Sequence, residues 1–171
     1  MNFGLTDEQE MVVNTVRTFV ENEIYPLEKE VEKTGLVPDE IGQEIKNKVL
    51  KLGFFAPNMP EDVGGGGLDN LSFALLEREL GRGSQGLTIF WGRPSNILLA
   101  CNQEQKEEYL FPAIKGEKFD ALAMTEPGAG SDVRGMKCFG KKDGEDYIIN
   151  GTKHFMSCLL YTSPSPRDSD Q

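Results

Sequence analysis

Residues 123–135 read Ala-Met-Thr-Glu-Pro-Gly-Ala-Gly-Ser-Asp-Val-Arg-Gly, a short apolar run that ends abruptly in small, polar and glycine residues. Gly128 and Gly130 permit backbone conformations closed to other residues and let a ligand approach the main chain. Thr125 and Ser131 offer hydroxyls, and exposed amides in such a segment can form an anion-holding nest. That is the make-up of a loop for a phosphate-bearing cofactor. It is equally the make-up of a surface turn, since Pro127-Gly128 is a common turn dipeptide, and the residues alone leave both readings open. Gly128, Gly130 and Gly135 do not make the G-x-G-x-x-G of a dinucleotide fingerprint, and no helical pattern follows.

Working outward, the period of the sequence changes on either side of this loop. Upstream, Thr6 and Gln9 form a capping box, and apolar residues recur at helical spacing through Val12, Val16, Phe19, Val20, Ile24, Leu27 and Val31. One long helix is expected, bent at Pro26 and stopped at Gly35. Pro38 suits the first position of a second helix with Ile41, Ile45, Val49 and Leu52 on one face and Gly53 as its stop. The stretch 54–68 carries two prolines and four consecutive glycines; without a following Gly-Lys-Ser/Thr it reads as a connection rather than a phosphate cradle. Asp69 or Asn70 caps a third helix with Leu71, Phe73, Leu76 and Leu80 inward. The apolar stretch 84–101 is expected to be helical, buried and broken at Gly92 and Pro94, with Phe90 and Trp91 in the core. Asn102 caps a further helix that Pro112 distorts near its end at Gly116.

Downstream of Glu117 the spacing turns strand-like. Residues 119–124 read as a buried strand leading into the loop, Asp143-Gly144 is a hairpin signal, Tyr147, Ile148 and Ile149 make the return strand, and Asn150-Gly151 turns into a further strand over 153–157. The expected fold class is α+β: an all-α helical domain over residues 1–118, then the start of an antiparallel β domain over 119–157.

The loop segment Met-Thr-Glu-Pro-Gly-Ala-Gly-Ser-Asp at 124–132, followed by Tyr-Ile-Ile-Asn-Gly-Thr-Lys at 147–153, resembles the flavin-binding middle part of the acyl-CoA dehydrogenase family. The opening Leu-Thr-Asp-Glu-Gln at 5–9, the Pro-Glu-Asp-Val-Gly-Gly turn from Pro60 and the Glu-Leu-Gly-Arg from Glu79 stand where that family has them. The resemblance implies that residues matching Leu122, Ala123, Met124, Thr125, Gly130 and Ser131 run along FAD. Thr125 would bond the pyrimidine side of the flavin, with Gly130 and Ser131 by the pyrophosphate and Ser131 near the pantetheine arm of an acyl-CoA. Phe155 would pack on the isoalloxazine face, with Met156 beside it and the Ser157 hydroxyl on flavin N5. The implied reaction is α,β-dehydrogenation of an acyl-CoA thioester with electrons passed to an electron-transfer flavoprotein, in a homotetramer. An acyl-CoA oxidase or flavin monooxygenase of the same fold is the second enzyme class; an acidic helical interaction module is the non-enzymatic alternative.

In that family the catalytic Glu belongs to a C-terminal helical domain, so no catalytic residue is assigned and the chain by itself is expected to hold FAD weakly if at all and not to turn over. The stretch 158–171, with its two prolines and its serines and aspartates, breaks the strand pattern. It reads as linker or adapter read-through after a truncated frame, with a genuine flexible tail as the alternative.

Composition narrows the classes. A net charge of −10 over 171 residues argues against nucleic acid or an anionic membrane surface as partner. With 38% hydrophobic and 27% charged residues the chain reads as globular. Cys101, Cys138 and Cys158 show no C-x-x-C spacing and predict reduced, mostly buried thiols. Glu126 and Asp132 flank the glycine loop but show no source of a raised pKa, so they read as turn-shaping acceptors. The lone His154 reads as structural, and no metal-ligand spacing exists. The opening lacks the features of a signal or transit peptide, and no run reaches the roughly 20 apolar residues of a membrane span; a cytoplasmic protein is expected.

Overall fold

The structure is a computed structural model and describes residues 4–155. It divides into two compact units, one reaching to Phe119 and the other starting at Asp120. The first is helical and the second carries a two-stranded antiparallel sheet, so the α+β class holds.

α1 spans Asp7–Phe19 and begins as its sequence dictates: Gln9 N–H donates to the Thr6 hydroxyl at 3.2 Å while the Gln9 side chain accepts from Thr6 N–H at 3.1 Å. The expected bend at Pro26 coincides with a change in the helical ladder. A single π turn, Val20–Ile24, comes first, and α2 resumes over Tyr25–Thr34. Proline has no N–H and its ring crowds the carbonyl four residues back, so the ladder must widen ahead of it. The same device recurs at Pro112, where the π turn Lys106–Leu110 separates α6 (Gln103–Gln105) from α7 (Phe111–Ile114). Gly35 closes α2 at φ +70°, a left-handed cap that suits glycine.

α3 runs Asp39–Leu52, one residue later than expected, because Pro38 is the cap and not the first helical residue. Ile45 and Val49 are buried, but Leu52 is 44% exposed, so the inward face ends a turn early. α4, Asn70–Leu80, is capped by Asp69, whose carboxylate accepts from Leu71 N–H and Ser72 N–H. Its inward positions are Leu75, Leu76 and Leu80; Leu71, expected inside, is 53% exposed. The stretch after Ser84 is not one broken helix but α5 (Gln85–Thr88) and two 3₁₀ turns, Ile89–Trp91 and Asn96–Ala100.

The core of this unit gathers Val16, Val20, Ile24, Val49, Met59, Leu76, Leu87, Trp91 and Leu110. The end of α4 docks on the π turn of the first helix pair. Ser84 N–H donates to Glu28 at 2.6 Å, Arg82 reaches Glu21, and a Cβ at Gly83 would come within 2.8 Å of Ile24. The four-glycine loop is packing and not cradle: the amides of Gly64, Gly65, Gly66 and Gly67 donate to the carbonyls of Glu61, Pro60, Ala56 and Met59. A Cβ at Gly65 would run into the Met59 carbonyl. Gly65→Ala is therefore expected to destabilise the helical unit by about 1–3 kcal/mol, read as a lower urea midpoint; an unchanged midpoint contradicts the close approach.

In the second unit β1 (Phe139–Asp143) pairs with β2 (Asp146–Asn150), Asp143 opposite Asp146, around a two-residue Gly144-Glu145 turn with Gly144 at φ +64°. Residues 119–124 form no strand, and Phe119, Leu122 and Met124 are exposed rather than buried. An apolar run becomes a strand only when a neighbouring strand pairs with it, and the sheet of the described residues holds β1 and β2 alone. Residues 153–155 of the further expected strand are likewise irregular. Cys101 and Cys138 are free and half-buried, less enclosed than expected, and Cys158 lies outside the described residues.

Candidate functional site

The loop after Met124 is a tight turn built on itself. Glu126 N–H donates to the Ala129 carbonyl at 2.9 Å and Ala129 N–H to the Glu126 carbonyl at 3.1 Å, with Pro127 and Gly128 at the corner. The Glu126 side chain then turns inward. It accepts from Lys137 N–H at 2.6 Å, from Cys138 N–H at 3.0 Å and from the Lys153 ammonium at 2.8 Å. The Lys137 amide first, then Lys153 and the Cys138 amide, bring its carboxyl down to about 2. Asp132 accepts from Arg134 N–H at 3.2 Å and starts the short turn Val133–Gly135. Both carboxylates are thus committed to loop shape, and neither is poised as an acid or base.

Among the described residues a single backbone bond ties the far end of the hairpin to the loop: His154 N–H donates to the Thr125 carbonyl at 2.8 Å. This brings Thr125 and Phe155, 30 positions apart in the chain, onto neighbouring segments. Phe155 stands at φ +57°, 87% exposed, with the His154 ring edge-on at 5.8 Å. Leu122, Met124, Gly130 and Ser131 are exposed, and Ala123 and Thr125 half-buried. Met156 and Ser157 lie outside the described residues.

These groups fit a flat cofactor with a phosphate arm. A Cβ at Gly128 or Gly130 would meet nothing within 4 Å, so the main chain there is open to approach. Among the described residues the hydroxyls of Thr125 and Ser131 make no hydrogen bond, and the Phe155 ring is largely uncovered. Lys153 is the site residue that sequence reasoning passed over, although it closes the Tyr-Ile-Ile-Asn-Gly-Thr-Lys stretch. Cavities of about 210 Å³ beside Pro26 and Ile41 and about 270 Å³ beside Gly65 and Ile114 belong to the helical unit and include none of these residues. Among the described residues no cluster of three His, Cys, Asp or Glu is arranged for a metal ion, and no helix is long and apolar enough to cross a membrane.

Residues 6–117 match the model of the acyl-CoA dehydrogenase N-terminal domain, and residues 121–158 that of the acyl-CoA dehydrogenase middle domain. The chain belongs to the acyl-CoA dehydrogenase family. A 3-(aryl)acrylate reductase of Clostridium sporogenes is 39% identical over 157 residues, 89% of this chain and 41% of that protein. The caffeyl-CoA reductase–Etf complex subunit CarC of Acetobacterium woodii is 36% identical over 158 residues, again 89% of this chain and 41% of that protein. Among solved structures, a glutaryl-CoA dehydrogenase of Mycobacterium smegmatis in complex with FADH2 superimposes with a TM-score of 0.76 at 28% identity, covering 92% of this chain and 41% of that one. The chain thus spans about two fifths of the length of the relatives it matches.

Proposed function

We propose that residues 1–118 are the helical domain and residues 119–157 the start of the flavin-binding β domain of an FAD-dependent acyl-CoA dehydrogenase. The observation that supports this reading is the Glu126-anchored turn, which stands beside the Phe155 segment through the bond from His154 N–H to the Thr125 carbonyl and leaves the Gly130 main chain open to approach and the Phe155 ring exposed.

FAD, when bound, supplies the hydride acceptor for α,β-dehydrogenation of an acyl-CoA thioester. The protein groups do the holding. With FAD bound, the Thr125 hydroxyl would bond the pyrimidine edge, Gly130 and Ser131 would lie by the pyrophosphate, and Phe155 would cover a ring face, with Leu122, Ala123 and Met124 along the same line; Met156 and the Ser157 hydroxyl are assigned to the flavin by the family resemblance alone. Ser131 also meets the pantetheine arm of the substrate. The α proton leaves to a carboxylate that belongs to the part of the relatives beyond the matched length. An electron-transfer flavoprotein is the electron partner, supported by the Etf-complex relative, and a homotetramer is the assembly of the full-length protein. Two relatives named as reductases favour a second reading of the same site: the reverse reaction, addition of hydride and proton across an α,β double bond.

Titration of the purified 171-residue chain with FAD tests the division of labour. Weak quenching of flavin fluorescence and no acyl-CoA-dependent dye reduction are expected; stoichiometric flavin or turnover overturns it. A chimera with residues 6–158 in place of the matching part of a full-length relative is expected to carry one FAD per chain, and a flavin-free chimera that is folded overturns the cofactor assignment.

A further inference from the structure

The Lys153 ammonium has three partners: the Met124 carbonyl at 3.0 Å, Glu126 Oε1 at 2.8 Å and Met136 Sδ at 3.5 Å. Glu126, its side chain 6% exposed, holds the amides of Lys137 and Cys138 from the other side. One ion pair therefore joins three segments that are remote in sequence, around 124–126, 136–138 and 153. Immediately beside it lies the lone backbone bond from His154 N–H to the Thr125 carbonyl. No strand ladder reinforces that bond, because residues 119–124 and 151–155 are irregular. Regular sheet cannot be what keeps Thr125 next to Phe155.

We propose that Lys153 is a positioning residue: it clasps the turn at Glu126 to the end of the hairpin, and so sets where Thr125 and Phe155 stand relative to one another. The inference deepens the flavin reading of this site and rests on it for its functional weight, since the Lys153 ammonium spends its donors on protein atoms. Removal of the ammonium leaves a nearly water-excluded carboxylate with two amide donors and no countercharge. The carboxylate can recover water only if the turn lifts away from the hairpin, and that movement parts Thr125 from His154.

Lys153→Met in the full chain keeps the length of the side chain and deletes its charge. The readout is amide hydrogen exchange, with FAD titration alongside. The expected result is exchange at least tenfold faster at His154, Lys137 and Cys138, unchanged rates in the helical unit, and FAD affinity at least tenfold weaker. Lys153→Arg is expected to recover most of both, since a guanidinium can meet the same carboxylate. Unchanged exchange at His154 in Lys153→Met overturns the proposal whatever happens to FAD. Faster exchange with FAD affinity equal to that of the unsubstituted chain also overturns it as a positioning role and leaves the cofactor reading standing. If the unsubstituted chain shows no FAD affinity, the FAD comparison is made in the chimera carrying residues 6–158, where a folded flavin-free protein refutes the cofactor reading, and the exchange rates decide the clasp.

Discussion

Trp91→Ala is expected to lower the unfolding free energy of the helical unit by about 3–5 kcal/mol. Trp91 is fully buried, with Phe19 edge-on at a ring distance of 5.1 Å and Phe54 tilted at 6.1 Å. The site cannot collapse cheaply to fill the vacated volume. The residue after it, Gly92, stands at φ +63°, its carbonyl accepts from Ala56 N–H at 3.1 Å, and a Cβ there would run into the Phe55 ring. The backbone on that side is thus pinned, and the cavity persists. The measurement is urea unfolding, with a lower midpoint and an unchanged slope. Trp91→Phe separates packing from polarity: among the described residues the indole N–H is buried without a partner, so its deletion removes no hydrogen bond and most of the loss is recovered. Ile97→Ala, at a position 67% exposed, is expected to stay within about 0.5 kcal/mol. A Trp91→Ala loss as small as that of Ile97→Ala would place Trp91 outside the core.

Much of the helical unit was legible because its punctuation is local. The Thr6 and Asn102 capping boxes, the Asp69 cap and the stops at Gly35 and Gly53 each depend on a few adjacent residues, and each stands where the spacing puts it. The π turns before Pro26 and Pro112 were not legible. Proline announces that a hydrogen bond is lost but not how the turn before it absorbs the loss. Leu71 and Leu52 were misplaced for a related reason: at a helix end the inward stripe depends on where the neighbouring element stops, which periodicity does not carry. The apolar run at 119–124 shows the limit for strands, since its residues suit a strand and its pairing partner is not among the described residues.

At the candidate site the turn itself was readable from Pro127, Gly128 and Gly130, and the reading of Glu126 and Asp132 as shape-forming acceptors agrees with their partners. What tied the turn down was hidden. Lys153 lies 27 residues from Glu126, and nothing in local pattern links them. The one available clue was energetic: a carboxylate drawn into a turn needs a cation, and Lys153 closes the second stretch on which the resemblance was read.

The second large effect belongs to Glu79. Its carboxylate, 2% exposed, accepts from Arg17 Nε at 3.0 Å and Arg17 Nη2 at 3.1 Å, and from Arg78 Nη2 at 2.7 Å; Arg82 Nη1 stands at 3.8 Å. This hub ties α1 to α4, and Glu79→Ala is expected to cost about 3 kcal/mol. The lower end of the range for a broken buried pair applies, because the stranded guanidinium groups are 39–55% exposed and regain water. The bond from Arg17, followed by that from Arg78, holds the Glu79 carboxyl below the usual carboxylate range. A lowered pKa means stability that is complete above the unfolded-state pKa and lost as the pH falls through the folded one. The gap between the parent chain and Glu79→Ala is therefore widest at neutral pH and narrows below about pH 5. Glu126 carries the same sign in the second unit, so a global probe would mix the two. Trp91 is the only tryptophan and sits in the helical core, so its fluorescence follows the helical unit; the shifted Asp69 and Glu77 there are common to parent and variant and cancel in the gap. A gap between parent and variant that stays constant from pH 7 to pH 3 by that probe would mean that the arginine hub contributes packing and not charge.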